Sequence, residues 1–207
     1  MDEFSKIICE CLCLMVSIVL IILAGLTYTI KRPHCYIQEF YVPALDLSLN
    51  STTTAVINPC LFFELAFENI MADHSVRYGD VNLTFSYGRS AVAKYVVPTF
   101  YQGKLKRADR REVVESSGVP WEAAVKVVSN GSAAVFRVDL VARPRFRFWF
   151  WYSKRKGMRI GADVEVDGFG MKMKREDIRL TNLGSSKSRV GIFVMFVGLL
   201  VTLLCLF

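Results

Sequence analysis

Hydrophobic residues crowd the two ends of this chain and alternate with polar ones between them. One apolar run spans Cys11 to Ile30 and a second spans Val190 to Phe207. The first has the length of a helix that crosses a hydrocarbon core, which takes about 20 apolar residues. From Thr52 to Ile57 the chain alternates with a period of two, as half-buried strands do. Leu61 to Phe67, Val81 to Phe85, and Ala91 to Val97 continue that pattern, broken by turn signals at Asn58-Pro59, Tyr87-Gly88 and Pro98. Trp121 to Val128 and Ala133 to Val141 read as strands flanking a hairpin at Asn130-Gly131. Phe146 to Tyr152 and Met158 to Val166 flank a turn at Ser153 to Gly157, and Asp167-Gly168 closes that element. No helical period of useful length stands out between the ends. The pattern predicts an all-β domain, a two-sheet sandwich, flanked by an N-terminal transmembrane helix and a C-terminal hydrophobic tail. Its divisions are a cytosolic tail at 1–10, a transmembrane signal anchor at 11–30, an ectodomain at 31–183, and a terminal segment at 184–207.

Charge sharpens that picture. The formal net charge is +7, carried by the middle, because the segment before the first apolar run holds Lys6 against Asp2, Glu3 and Glu10. A basic domain held at a membrane suits lipid headgroups, a polyanionic cell-wall polymer or an acidic protein. An outward-facing domain does not meet nucleic acid. Two signals oppose each other on sidedness. Lys31 and Arg32 follow the first apolar run, which by the positive-inside rule turns the middle to the cytosol. Three N-x-[S/T] sequons, at Asn50, Asn82 and Asn130, turn it outward as glycosylation sites. The second apolar run sides with the sequons, since it follows small residues as a GPI-attachment signal does, with Asn182, Gly184 and Ser185 as candidate attachment points. A second membrane span is the alternative and also leaves the middle outside. The expected place is the plasma membrane, with the domain facing the exterior.

Six cysteines fall into three groups. Cys9, Cys11 and Cys13 sit at the membrane boundary as candidates for palmitoylation, or as small apolar residues entering the bilayer. Cys35 and Cys60 are the two in the middle and form a candidate disulfide in an oxidising compartment. Cys205 lies in the tail.

One predicted strand has distinctive chemistry. In the run from Arg145 to Tyr152, Phe146, Phe148 and Phe150 share one face, while Arg145, Arg147, Trp149 and Trp151 share the other. The phenylalanines belong to the core, where each contributes ~2–3 kcal/mol. With Lys154, Arg155 and Lys156 in the next turn, the other face is a candidate partner or lipid surface. The alternative is a second buried face with its arginines reaching out to solvent. Catalysis finds little support. The two histidines are His34 beside the membrane and His74 in a loop-like Asp73-His74-Ser75, and neighbours in sequence do not assemble a triad. No metal-ligand spacing and no phosphate-cradling glycine loop occurs. Neither an enzyme, a cofactor nor a small-molecule substrate is expected.

Four blocks carry a family resemblance. Val97-Pro98 followed by Phe100-Tyr101-Gln102-Gly103 resembles the Y-Q-G motif of the plant NDR/HIN1-like family, whose members carry a late embryogenesis abundant (LEA) group-two domain. The likeness extends to Pro33–Gln38, to Asn130–Leu140 and to Gly161–Val166, and covers nearly the whole chain. It implies a fibronectin-like β-sandwich without catalysis. It also implies a role in plant defence signalling at the plasma membrane, including bacterial resistance and the hypersensitive response, through protein or cell-wall contacts. Some relatives with this domain imply the alternative, a lipid-binding stress protein. Where the family usually has Asn-Pro-Asn this chain has Asn69-Ile70-Met71, a change expected to alter a loop. In the motif itself, Gly103 is expected to supply an unusual backbone angle after Tyr101 and Gln102. The basic residues that follow, from Lys104 to Arg111, read as a solvated face.

Overall fold

The computed structural model describes residues 3–28, 31–49, 58–148 and 151–182. The chain divides into two compact units, one of 1–31 with 185–207, the other Arg32–Gly184. In the first unit, α1 (Glu3–Tyr28) is a 26-residue helix that takes in most of the segment before the apolar run. Its surroundings are described at 7, 8 and 11–22, where nearly every side chain is exposed. Among the described residues no helix is long and apolar enough to cross a membrane.

The second unit is built of strands. In chain order they are β1 (His34–Asp46), β2 (Cys60–Glu68), β3 (Ser75–Tyr78), β4 (Val81–Tyr87), β5 (Ser90–Val97), β6 (Phe100–Gln102) and β7 (Arg107–Glu115). A helix, α2 (Trp121–Ser129), precedes β8 (Ala134–Ala142), β9 (Arg145–Phe148), β10 (Trp151–Tyr152), β11 (Met158–Val166), β12 (Phe169–Met171), β13 (Ile178–Arg179) and β14 (Thr181–Asn182). One sheet has the order β12-β1-β2-β7, with β13 also on β1; a second runs β14-β11-β8-β4-β5, and a third runs β10-β9-β3-β6. The third prolongs the second. Val81 pairs with Val97 and Tyr78 with Phe100, so register passes through Pro98-Thr99 without a slip. On the other side four residues, 78–81, face three, 142–144, between the pairs Arg77–Arg145 and Asn82–Val141. The extra residue is on the 78–81 side, and Pro144 opposite it has no N–H to give a ladder.

The first sheet packs on the second through phenylalanines. Phe40 lies 6.1 Å from Phe85 and 5.7 Å from Phe136, and Phe63 lies 4.9 Å from Phe85, centroid to centroid. Leu61, Leu65, Leu83, Val138 and Leu140 fill the same layer. This is the expected sandwich, with strands where alternation placed them at β2, β4, β5, β8 and β11. The strand expected at Thr52 to Ile57 lies outside the described residues.

Two expectations are overturned. Trp121–Ser129 is a helix, not a strand. Ala124 and Val128 are its buried residues, four apart on one face. Asn130-Gly131 therefore ends a helix rather than turning a hairpin. Gly131 has φ +77°, its N–H donates to the Val128 carbonyl, and the Ser132 N–H donates to Val127. Those two bonds are the Schellman pair that closes a helix on a left-handed glycine. The second correction concerns the predicted strand from Phe146 to Tyr152. β9 and β10 pair antiparallel, Phe148 opposite Trp151 and Arg147 opposite Tyr152, so the chain doubles back between them.

β1 escapes the alternation rule because Val42 and Ala44 to Asp46 are buried in succession. Its ladder to β12 is irregular between Tyr41 and Asp46, the stretch that contains Pro43. There Gly170 has φ +70°, and a Cβ on it would run into the Val42 carbonyl oxygen.

Candidate functional site

The Y-Q-G stretch is β6 and the loop after it. Tyr101 points outward, while Gln102 is buried. The Gln102 Nε2 donates to the carbonyls of Phe67 at 2.6 Å and Lys106 at 2.7 Å. Asn69 mirrors it from the other side. Its Nδ2 donates to the carbonyls of His74 at 2.9 Å and Gly103 at 2.8 Å, and its Oδ1 accepts the Met71 N–H at 3.1 Å. Two buried amides thus join the end of β2, the approach to β3 and the exit from β6. Gly103 is not in a left-handed conformation; Leu105 is, at φ 49°. The glycine's role is its carbonyl, not an unusual angle. The surviving first residue of the family's Asn-Pro-Asn is the one that does this bonding.

Of the basic residues after the motif, Lys104 and Lys106 lie in the loop before β7 and Arg107, Arg110 and Arg111 on that edge strand; all are exposed but Arg110, which is half-buried. Arg111 reaches Glu64 at 2.7 Å and Glu39 at 3.2 Å, and those carboxylates hold its guanidinium more firmly charged. Arg107 reaches Asp109 and Asp177. Arg110 lies over the Phe100 ring at 5.1 Å.

The cationic aromatic surface forms, but with altered membership. Phe146 and Phe148 are buried as expected, and Arg145 and Arg147 are exposed. Trp151 does not join the arginines. It lies opposite Phe148 and stacks on that ring at 5.9 Å, on the phenylalanine side of the ladder. Tyr152, opposite Arg147, takes its place. Trp149 and Phe150 lie outside the described residues. Sequence reasoning missed Arg77 and had Tyr101 only as a motif residue; both share a cross-strand row with Arg145. No signal within either segment could have found that row, because the pairing joins residues far apart in the chain. Lys154, Arg155 and Lys156 are exposed beside it.

The remaining candidates are scattered. Asn82 is exposed near the start of β4 and Asn130 is exposed at the end of α2; Asn50 is outside the described residues. Asn182 sits in β14 opposite Ile160, and its Oδ1 accepts a hydrogen bond from Arg32 Nη1 at 2.9 Å. Gly184 and Ser185 lie outside the described residues. Cys11 is exposed on α1 and Cys13 half-buried, while the Cys9 side chain lies outside the described set. The candidate bridge between Cys35 and Cys60 does not exist. Both are thiols. Cys35 pairs with Phe67 on β2, seven residues and about 23 Å along the strand from Cys60, far beyond a disulfide's reach. Burial pushes the Cys35 thiol up to about 12. His74, just before β3, is buried against Phe148 at 4.5 Å. Among the described residues no group of three or more His, Cys, Asp or Glu is placed to hold a metal.

Fold and surface together define a class: a two-sheet β-sandwich joined to an apolar N-terminal helix, with arginines gathered on one outer sheet face. No family model matches the chain. It is 35% identical over 164 residues to Protein NDR1 of Arabidopsis thaliana, a match that spans 75% of this chain and 72% of that protein. The chain belongs to the plant NDR/HIN1-like family. Among solved structures it overlaps a protein from Archaeoglobus fulgidus (TM-score 0.32, 7% identity, 66% of this chain and 97% of that one). It also overlaps a late embryogenesis abundant protein solved in solution (TM-score 0.33, 9% identity, 78% and 89%). Overlaps that slight carry no argument.

Proposed function

We propose that the protein acts in plant defence signalling at the plasma membrane, as an outward-facing LEA group-two domain that works by contact and not by catalysis. The observation that carries this reading is the 35% identity to Protein NDR1 across three quarters of the chain. The remaining features support it. On α1 the described side chains from Leu12 to Ile22 are apolar apart from Ser17 and mostly exposed, which suits lipid as surroundings. Asn82 and Asn130 are accessible to a glycosyltransferase. The apolar stretch at 190–207 serves as a second attachment, a GPI signal or a span.

Disabling the gene and challenging the plant with an avirulent bacterium tests the role; the expected result is a weakened hypersensitive response and greater bacterial growth, and normal resistance would overturn it. Sidedness is tested separately. Glycosidase should raise the gel mobility of protein from plant membranes, and phospholipase C should release it if the attachment is GPI. A lipid-binding reading is favoured by one observation, the exposed Lys154-Arg155-Lys156 loop next to Trp151 and Tyr152.

A further inference from the structure

Three arginines of this domain meet acid among the described residues. Arg111 meets Glu39 and Glu64, Arg107 meets Asp109 and Asp177, and Arg137 meets Asp139 and Asp163. The outer face of the β10-β9-β3-β6 sheet instead gathers three arginines with no such partner. Arg77 stands directly opposite Arg145, and Arg147 lies two residues further along the same face. All three are exposed, and none has an acidic partner among the described residues. None of the four strands contains Asp or Glu. Asp73 and Asp80 flank β3 in its loops, and Asp80 already accepts the Thr99 hydroxyl at 3.0 Å. Like charges set directly opposite in a ladder destabilise it.

Two neighbours extend the face. The Ser153 N–H donates to the Phe146 carbonyl and the Lys156 N–H to the Pro144 carbonyl, which folds Lys154, Arg155 and Lys156 back beside β9. Tyr101 completes the row with Arg77, and Tyr152 the row with Arg147; their relative exposures are 54% and 40%. The result is an open face with exposed tyrosines at both of its margins and guanidinium forks between them.

We propose that this face binds an acidic polysaccharide, a chain of uronic-acid sugars laid across the strands. The inference rests on the outward-facing reading above, because anionic lipids concentrate on the cytoplasmic leaflet and are scarce on the other. Guanidinium forks take carboxylates bidentately. Strands stand about 4.8 Å apart and alternate residues about 6.7 Å apart, so the three arginines present a planar grid that suits repeated carboxylates better than one small anion. The tyrosines at its margins offer flat apolar surface for sugar rings. An acidic peptide would have no use for those rings in such rows.

The test uses the full-length protein in detergent micelles and polygalacturonate as probe. The wild type should be retained on immobilised polygalacturonate and released by rising salt, while fully methyl-esterified polymer should not hold it. The triple variant Arg77→Gln, Arg145→Gln, Arg147→Gln should bind about tenfold more weakly or worse, while Arg111→Gln on the other sheet should bind as the wild type does. Removing the opposed charges should leave the thermal midpoint of the triple variant unchanged or raised. If that variant fails to fold, hydrogen exchange on the wild type decides: polygalacturonate should protect amides at 75–77 and 145–147. The proposal is overturned if the triple variant binds normally, if esterified polymer binds equally, or if protection falls elsewhere. It is also overturned if polyglutamate, or vesicles of phosphatidylcholine with phosphatidylserine, bind as tightly as polygalacturonate. Binding in micelles does not depend on which side of a membrane the domain faces, so failure here leaves the outward-facing reading to the glycosidase result.

Discussion

Asn69 and Gln102 are polar residues that the interior cannot do without. Each fixes backbone carbonyls from separate loops, and a truncated partner strands those groups away from water. Asn69→Ala and Gln102→Ala should each cost ~1–3 kcal/mol, read as a lower urea midpoint with an unchanged slope. Asp46 makes a different contribution at the end of β1. Its Oδ1 accepts the Ser48 hydroxyl at 2.6 Å and the Ser48 N–H at 3.0 Å, and its Oδ2 accepts the Tyr41 hydroxyl at 3.1 Å. The Ser48 hydroxyl foremost, then Tyr41 and the backbone, hold its carboxyl below the usual range against the opposing effect of burial. A depressed carboxylate stabilises fully above its unfolded value, near pH ~4, and that stabilisation is lost as the pH falls through the lower folded value. Asp46→Asn should therefore flatten the acid limb of the stability profile, measured by thermal unfolding between neutral and acid pH.

At the scale of elements, what could be read in advance was whatever local pattern decides. β11 follows the alternation from Met158 to Val166, and β4 and β5 break where Tyr87-Gly88 and Pro98 say they should. Helix α2 was misread because Trp121 to Val128 is short and β-branched enough to pass for a strand, and because Asn-Gly closes helices as well as hairpins. That cap makes a prediction. Gly131→Ala should cost ~1–2 kcal/mol, since only glycine takes this left-handed position freely, and unfolding in denaturant would show it. β1 was unread for another reason: its alternation shifts phase between Ile37 and Glu39 and ends in a run buried without a break from Val42 to Asp46. The candidate surface was half legible. Arg145 and Arg147 could be placed on an outer face from one segment alone. Arg77 and Tyr101 joined them only through strand pairing, and Trp151 changed sides because the chain reverses before it.

For the molecule as a whole, charge is distributed unevenly: Arg107 and Arg111 on β7 and Arg137 on β8 meet acid, while the strands of the β9 face gather arginines and hold no Asp or Glu. Exposed pairs add little to stability, so Arg111→Ala should leave the thermal midpoint essentially where it is. The sandwich depends instead on its phenylalanine layer, and Cys35 is positioned to report on that layer. Its thiol is sealed between β2 and the interior and is kept protonated, so a maleimide reaches it only when the first sheet parts from its neighbours. Half-exposed Cys60, the other cysteine of the sandwich, would be alkylated ahead of it. The delayed label on Cys35, read by peptide mapping, is thus a natural clock for breathing of the folded state, present without any engineered probe.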